Sequence, residues 1–469
     1  MMKSVGMKIA SAIMAGALTL TFTGCSSDTG QKTSSASSGE KTELTVWSQS
    51  RADETFVDPK IANYNKTNKD NVTLTYKIYT DNFAQALDLA YAANNGPDLV
   101  CESGNVDVFS KYVSQGQYVP IDKYMSAKQK EQYKNLKMDG IDSYKGQMYY
   151  LPIFGTTGRV FYNIDIFSKA GISSPPSTLD DMVADAKTIT DKLKSQGVYG
   201  FAMNLKSPAA ALQRSLEFIV ERSGGPERGY DFKAGQYDFS SYKPYLQAFK
   251  TLFTTGIAFP GCESLDIDPL RTQFAAGKIG MYISWSHADP GVYETQFPTS
   301  QHWGVSQLPT LSGKVYSQAI TPYGGYMINK TAKNPNLAWK CLMGLFYDDN
   351  YCVAYHEAGL AGLLVPDLQS KAKTPSLLKG KEEDLLGKND KIWPATPQML
   401  NSQAVVVEGN DQYTVFEQMI FGKQDIDTGL SDLTKRYNDG YQKGIGAGKG
   451  SKIQFSNFDP ANPATSVSK

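Results

Sequence analysis

The chain has 469 residues, in which 47 Lys and Arg balance 47 Asp and Glu. This length predicts two or three domains with large buried cores. The balanced charge argues against a nucleic-acid-binding protein, which normally carries a basic excess.

Residues 1–24 have the pattern of an export signal. Lys3 and Lys8 flank the start of a short uncharged apolar run (IASAIMAGALTLTF), which is too short to span a bilayer. Thr23-Gly24-Cys25 follows and resembles a bacterial lipobox, although Phe22 stands where Leu is usual. We therefore expect a lipid anchor at Cys25, on the outer face of the cytoplasmic membrane. The alternative is an ordinary secretory signal in which this Cys is incidental.

Residues 25–42 are rich in Ser, Thr and Gly and predict a flexible tether behind the lipidated Cys. From residue 43 onwards, short apolar strands alternate with longer amphipathic segments. The first of these are a strand at Glu43–Trp47, a helix at 55–66 and a strand at Val72–Tyr79. This alternation predicts an α/β fold built on mainly parallel sheets.

Further helices are predicted at Ser177–Leu193, from Asn334 and across Leu430–Tyr441. The tail at 443–469 is rich in Gly, Ser, Asn and Pro, so we expect it to be loosely ordered. Four cysteines follow Cys25, and we favour free thiols over disulfides. Cys341 and Cys352 share a helical stretch that would hold them roughly 16 Å apart, too far for a bridge.

Local signatures of catalysis are missing from the sequence. His356-Glu357 begins like a zinc-protease helix, but Leu360 replaces the second ligand. The segment Gly444–Ser451 lacks the glycine spacing of a phosphate-binding loop, and no G-x-S-x-G motif occurs. A carboxylate pair assembled from distant loops, as in a glycosidase, stays open. We expect a protein without enzymatic activity and without a cofactor or metal.

Several segments, taken in order, resemble one family. They include a glycine-proline strand entry (Gly96–Val100), a crossing strand (Tyr149–Phe167), a helix start (Pro175–Met182), FAAGKIGM (Phe274–Met281), a strand-helix pair (Gly324–Phe346) and two closing stretches (Pro394–Met399 and Phe416–Thr434). Together they resemble the family 1 extracellular solute-binding proteins of ABC importers, the maltose-binding-like group.

The resemblance implies a type II periplasmic-binding-protein-like fold with two discontinuous α/β lobes joined by crossing strands. Lobe 1 would comprise 43–152 and about 303–350, and lobe 2 about 153–302 and about 351–442. A ligand would lie in the cleft between the lobes, which close over it by a hinge motion. Ligands of open α/β sheets sit beyond the carboxyl ends of the strands.

Residues at strand ends and in the crossing segments are therefore the candidate ligand contacts: Trp47, Ser48, Asp53, Glu102, Asn105, Thr156, Tyr162, Asn204, Ser284, Trp285, Gly324, Tyr326 and Trp393. The three tryptophans are expected to stack on sugar rings, and Asp53, Glu102, Asn105 and Asn204 to bind hydroxyl groups.

For three of these candidates, a purely structural role is the alternative to ligand binding. Tyr162 suits a hinge core, Asp53 suits a helix cap, and Trp393 suits packing on the second lobe. Arg159 interrupts an apolar strand and would mark an acidic ligand, but a structural ion pair is the favoured interpretation.

The resemblance implies a monomeric binding protein that delivers a carbohydrate, expected to be a short oligosaccharide, to an ABC permease. A non-sugar solute is the alternative ligand. A cell-surface glycan hydrolase is the alternative from another class of protein.

Overall fold

The computed structural model describes residues 41–51, 53–79, 82–102, 106–379 and 385–466. The predicted export signal, the lipidation site at Cys25, nearly all of the tether and Asn105 lie outside these residues.

Within the described ranges the strands are β1 (Thr42–Ser48), β2 (Val72–Ile78), β3 (Leu99–Cys101), β4 (Ser143–Tyr144), β5 (Gln147–Met148), β6 (Phe154–Thr156), β7 (Gly158–Asn163), β8 (Tyr199–Ala202), β9 (Tyr230–Asp231), β10 (Gln236–Tyr237), β11 (Ile279–Trp285), β12 (Trp303–Ser306), β13 (Gln318–Ala319), β14 (Thr321–Tyr323), β15 (Tyr326–Ile328), β16 (Gly362–Leu363) and β17 (Asp390–Lys391).

The α-helices of the same ranges are α1 (Glu54–Thr67), α2 (Phe83–Ala92), α3 (Val106–Ser114), α4 (Ala127–Tyr133), α5 (Ile164–Ala170), α6 (Leu179–Leu193), α7 (Pro208–Leu212), α8 (Phe218–Arg222), α9 (Lys243–Thr254), α10 (Ile267–Ala275), α11 (Ala288–Thr295), α12 (Pro335–Cys341), α13 (Asp349–Glu357), α14 (Pro366–Gln369), α15 (Pro397–Leu400), α16 (Gln412–Ile420) and α17 (Ile426–Gly446). π-Helical turns at Gln213–Glu217 and Leu342–Phe346 continue α7 and α12.

The first sheet has the strand order β15-β3-β1-β2. Strands β1, β2 and β3 run parallel, and β15 pairs antiparallel with β3 at the edge. In β1 the apolar side chains Leu44 and Val46 are fully buried, while Trp47 is only partly covered. The core around this sheet draws on residues from Leu44 to Phe154 and again from Tyr323 to Leu368. We call this part of the molecule the first lobe.

The second sheet has the order β12-β7-β11-β8, with β8 parallel and β7 antiparallel to β11. Helix α6 covers it, and its start is fixed by a capping box between Thr178 and Asp181. At Gly200 the helix and sheet approach so closely that a Cβ atom would lie 2.0 Å from the carbonyl oxygen of Ala186. The core of this second lobe runs from Val160 to Leu308 and resumes from Leu378 to Tyr441, with Ala319 also contributing.

A small sheet of order β14-β6-β16 lies where the chain crosses between the lobes. Strand β6 pairs antiparallel with both neighbours, bringing Thr156 opposite Thr321 and Gly155 opposite Gly362. The fold is thus the two-lobed, type II binding-protein architecture that the sequence predicted.

Two segments belong to lobes other than those expected. Strand β12 (Trp303–Ser306) pairs with β7 in the second lobe, because its apolar residues cover Phe161. Helix α13 and the segment to Leu368 pack in the core of the first lobe, where Tyr351 and Tyr355 contact Phe56.

The tail is packed through residue 460, which corrects the expectation of a loose segment. Helix α17 continues to Gly446, and the Phe455 amide then donates to the Phe232 carbonyl at 2.8 Å. Phe458 lies against Phe232 and Trp393, with ring centroids 5.0 and 5.5 Å apart. Isolated aromatic residues among the Gly, Ser and Asn thus provide enough apolar surface to hold the segment in place.

Candidate functional site

The ends of β1 and β11, which come from different lobes, meet at the crossing sheet. Beyond β1, the Ser50 hydroxyl lies 2.5 Å from the Tyr323 hydroxyl at the end of β14. Beyond β11, His287 Nδ1 lies 2.6 Å from Thr156 Oγ1 on β6. The ring centroids of His287 and Tyr323 are 4.2 Å apart, so the two hydrogen-bonded pairs contact each other and form one polar cluster. We call these four residues the strand-end cluster.

An ion-pair network connects the same two lobes at the surface. Arg51, which follows β1, donates to Asp268 on α10 at 2.7 Å. Asp268 also accepts from Arg271 at 3.1 Å, and Arg271 in turn donates to the buried Asp289 at 2.7 Å. Burial would raise the pKa of Asp289, but the Arg271 guanidinium and the nearby hydroxyls hold it below its usual value.

The His287 ring is electrically neutral over the physiological pH range. Its pKa is lowered to about 3, mainly by burial; Asp289 raises the pKa, and the positive charges of Arg271 and Arg214 lower it. A neutral imidazole offers one donor and one acceptor, which suits hydrogen bonding to hydroxyl groups.

Five of the predicted site residues lie at strand ends around the strand-end cluster. Ser48 and Ser284 are fully covered, and Thr156 belongs to the cluster itself. Trp47 is half-buried beside Tyr79, with ring centroids 4.6 Å apart. Trp285 is also half-buried and meets Phe218 edge-on at 5.7 Å.

Two further predicted residues sit close to these strands. Gly324 directly follows Tyr323 and has φ of +67°, a left-handed conformation that glycine adopts without strain. Asn204 follows β8, and its side-chain oxygen accepts from Arg214, which is itself directed at the Ile283 carbonyl of β11.

The remaining predicted residues face the protein interior. Glu102 accepts from Tyr118 in the first lobe, and burial raises its pKa to about 8. Tyr326 stacks on Phe346 at 3.9 Å in the core of the first lobe. Tyr162 packs on Phe167 in the core of the second lobe, matching its structural alternative.

Asp53 and Trp393 are also buried. Asp53 stands at the start of α1 without a capping hydrogen bond and accepts instead from Tyr355 at 2.8 Å. Burial raises its pKa to about 7. The indole of Trp393 donates to Ser317 at 3.0 Å. Its ring lies in the core of the second lobe, in agreement with the alternative that it packs there. Asp53 is also within hydrogen-bonding reach of Ser50 in the strand-end cluster.

Arg159 forms a fully buried ion pair with Asp390 at 2.5 Å, so the structural interpretation of this arginine is correct. Cys101, Cys262, Cys341 and Cys352 are buried, and among the described residues they form no disulfide bonds. Among the described residues, no group of three or more metal-ligating side chains is arranged to hold a metal ion.

Four residues of the site were missed at the sequence level: Ser50, Arg214, His287 and Tyr323. His287 had a usable signal, since it lies two residues beyond the strand that ends at Trp285. Arg214 lies in the π-helical turn Gln213–Glu217, a distortion that sequence patterns do not reveal but that often marks functional sites.

The chain matches one known protein family. The model of that family, described as bacterial extracellular solute-binding protein, matches residues 47–342, which is more than half of the chain. The chain belongs to this family. The family predicted from sequence is therefore confirmed.

Two distant relatives match part of the chain. A binding protein of Brucella abortus (strain 2308) is 26% identical over 241 residues, which cover 51% of this chain and 56% of that protein. An ABC-transporter-binding protein of Deinococcus radiodurans is 24% identical over 200 residues, covering 41% and 46% of the two chains. The match thus spans about half the length of these relatives.

A solved relative has the same fold over most of its length. The crystal structure of an ABC transporter solute-binding protein from Thermotoga lettingae TMO, bound with alpha-D-tagatose, superposes with a TM-score of 0.70 at 19% identity. The match covers 85% of this chain and 99% of that one. In the described part of this chain, no helix is both long and apolar enough to cross a membrane.

Proposed function

We propose that this protein is the substrate-binding component of an ABC importer and that it captures a carbohydrate between its lobes. Membership of the extracellular solute-binding family supports the first part of the proposal. The relative with alpha-D-tagatose bound supports the second part, since it shares the fold over nearly its whole length.

The observation that carries the proposal is the pair of half-buried tryptophans at strand ends of different lobes. Trp47 is the second-last residue of β1 in the first lobe, and Trp285 is the last residue of β11 in the second. Pyranose rings have flat apolar faces with hydroxyl rims, so they match an indole face beside polar groups. Ser50, Tyr323, Thr156 and the neutral His287 would supply those polar groups at the same strand ends.

Ligand capture would proceed by a shift between open and closed arrangements of the lobes. Contacts such as Arg51–Asp268 form between residues of different lobes, so they exist only when the lobes are together. A ligand that touches both lobes adds to these contacts and increases the population of the closed form. The permease would recognise that closed form.

The protein would perform no chemistry on its ligand. Among the candidate contacts, the carboxylates of Glu102 and Asp53 are buried in the first lobe and accept hydrogen bonds from Tyr118 and Tyr355. A glycosidase needs two carboxyl groups facing one glycosidic bond about 5 to 10 Å apart.

We further propose a monomer held by a lipid on Cys25 at the outer face of the bacterial cytoplasmic membrane. The apolar run before Cys25 and the polar tether behind it support this location. Cells fed radiolabelled palmitate should label the wild-type protein, whereas the Cys25→Ser variant should carry no label and be released into the medium. Equal labelling of both proteins would exclude an anchor at this Cys.

Isothermal titration calorimetry against a sugar panel that includes alpha-D-tagatose tests the central proposal. Saturable binding of one sugar per chain, with the sugar recovered intact after long incubation, is the expected result. Release of smaller sugars would identify a hydrolase instead. Binding confined to a panel of amino acids and other non-sugar solutes would assign a different ligand class.

A further inference from the structure

A small cavity lies beside β14, next to the candidate site. Its walls are the π-helical turn Gln213–Glu217, the start of α8, the segment Ala319–Pro322 and Trp393. Its volume is about 20 Å³, which is room for one group the size of a water molecule. Phe218 in this wall is the residue that meets Trp285, and Thr321 is paired with Thr156. The cavity therefore shares walls with the proposed carbohydrate site.

Three buried carboxylates line this cavity. Glu217 uses one oxygen to accept from the Tyr242 hydroxyl at 2.7 Å and the Arg228 amide at 3.0 Å, while its Oε1 has no hydrogen-bond partner among the described residues. Glu221 accepts from the Ala319 amide at 2.9 Å. Within the same part of the chain, the buried Oε2 of Glu227 also has no hydrogen-bond partner. Each of the three residues is at most 6% exposed.

The lining has more potential negative charge than positive. Arg228 is the cationic side chain that shares the lining with the three carboxylates, and Tyr242 is a neutral donor to Glu217. Burial raises the pKa of Glu217 to about 7 and of Glu227 to about 8, and it raises that of Glu221 well above its usual value. Buried carboxylates without enough cations remain protonated near neutral pH, because an unpaired buried charge is costly.

We propose that this cavity is a subsite for an ammonium group, and hence that the captured carbohydrate is an amino sugar with a free amine. This inference rests on the proposed function. An ammonium group carries three donors and a positive charge, which match the unpartnered oxygens of Glu217 and Glu227. The Phe218 and Trp393 rings in the same lining provide apolar and cation–π surface for such a ligand.

Binding would exchange protons for the ligand's charge. The ammonium N–H groups would donate to carboxylate oxygens, so any carboxyl group that is still protonated would release its proton to solvent. The affinity should therefore rise as the pH increases from 6 to 8, and fall again where the ligand amine loses its own proton. Arg228 favours the ionised carboxylates at every pH in this range.

The test uses calorimetry with two probes that differ in one group: β-1,4-linked glucosamine disaccharide and its fully N-acetylated counterpart. The wild-type protein should bind the free amine at least about tenfold more tightly and should release protons, seen as a heat that depends on the buffer. Glu217→Gln and Glu227→Gln keep the side-chain shape and should each reduce that preference by about tenfold. The control Asp185→Asn removes another carboxyl group of the second lobe, on α6, and should leave the preference unchanged.

The outcomes separate the two proposals. Equal or tighter binding of the acetylated sugar, or an unchanged preference in both Glu variants, would overturn the ammonium subsite while the carbohydrate function stands. Failure of every sugar to bind would overturn both. If one Glu variant does not fold, the other variant and the proton release of the wild type still decide the question.

Discussion

At the scale of single residues, partial burial distinguishes a side chain available to a ligand from one that holds the core. Trp285 keeps part of its ring uncovered at the end of β11, although Phe218 contacts its edge. Trp393 and Trp303 are 2% and 8% exposed and are committed to packing. A ligand face that covers Trp285 would gain apolar burial that folding leaves unused.

The Trp285→Ala variant should therefore bind sugar more than about tenfold more weakly while its melting temperature falls only slightly, since aromatic anchors dominate binding and half-buried ones contribute less to stability. Calorimetry and thermal melts of the ligand-free protein measure the two effects. The matched control Trp303→Ala should do the opposite, with a loss of about 3 to 5 kcal/mol of stability. Unchanged affinity in Trp285→Ala would remove this residue from the site.

Glu102 predicts a pH-dependent stability in the opposite direction to ordinary acid denaturation. Burial raises its pKa from 4.5 to about 8, so between these values the unfolded chain ionises while the folded protein keeps the proton. The stability that Glu102 contributes is thus complete below about pH 4.5 and is lost as the pH rises towards 8.

The Glu102→Gln variant removes this titration but retains an acceptor for Tyr118. Between pH 5 and pH 8, the free energy of unfolding of this variant relative to wild type should increase by up to about 1.4 kcal/mol per pH unit. Its melting temperature relative to wild type should rise over the same range. The exposed Glu43→Gln on β1 of the same sheet should show the wild-type slope. Parallel slopes for Glu102→Gln and wild type would mean that Glu102 is already ionised in the folded protein.

At the scale of elements, the regular segments were predictable and the irregular ones were not. The early strands and the capped helix α6 have clear periodicity and cap residues, so their positions follow from local pattern. The tail after Gly446 has neither. Its order depends on Phe455 and Phe458 finding Phe232 and Trp393, which are distant in sequence.

The Phe458→Ala variant tests whether the tail contributes to stability. Its half-buried ring touches two aromatic residues, so we expect a loss of about 2 kcal/mol in the free energy of unfolding, measured by urea denaturation. The exposed Val406→Ala is the control and should change stability by less than about 0.5 kcal/mol. Equal stability of both variants would mean that the packing of the tail does not contribute to the free energy of unfolding.

The candidate site was only partly predictable for a related reason. Sequence identifies which residues end strands, and Thr156, Ser284 and Trp285 were found in this way. It does not reveal which way a side chain turns after the strand has ended. Glu102 directly follows β3, and Trp47 lies near the end of β1 in the same sheet. The Glu102 side chain nevertheless turns towards Tyr118, while Trp47 stays partly in solvent.

At the scale of the whole molecule, the lobes touch through polar contacts and through an apolar cluster of Ile141, Ala395 and Met399. The exposed Arg51–Asp268 pair connects β1 of the first lobe to α10 of the second. The lobe boundaries were harder to predict than the lobes themselves, because β12 and α13 have ordinary local patterns and only their partners decide where they belong.

The Arg51→Ala variant should release bound sugar up to about fivefold faster, because an exposed pair contributes at most about 1 kcal/mol to the closed form. Stopped-flow displacement measures the rate, and the difference from wild type should vanish at 1 M salt. The control Lys206→Ala breaks an exposed pair with Asp266 inside the second lobe and should not change the rate. Identical rates for Arg51→Ala and wild type at low salt would mean that this pair does not hold the lobes together.

The interleaving of the two cores sets the order in which the protein matures on the ribosome. In the described part of the chain, the first core stops at Phe154 and resumes only at Tyr323, after the strands β7 to β12 of the second lobe have been made. At ordinary translation speeds the edge strand β15 is made roughly 10 to 45 seconds after β3, its partner in the sheet. During that interval β3 has an open edge, and an open strand edge is a template for pairing with another chain until β15 covers it.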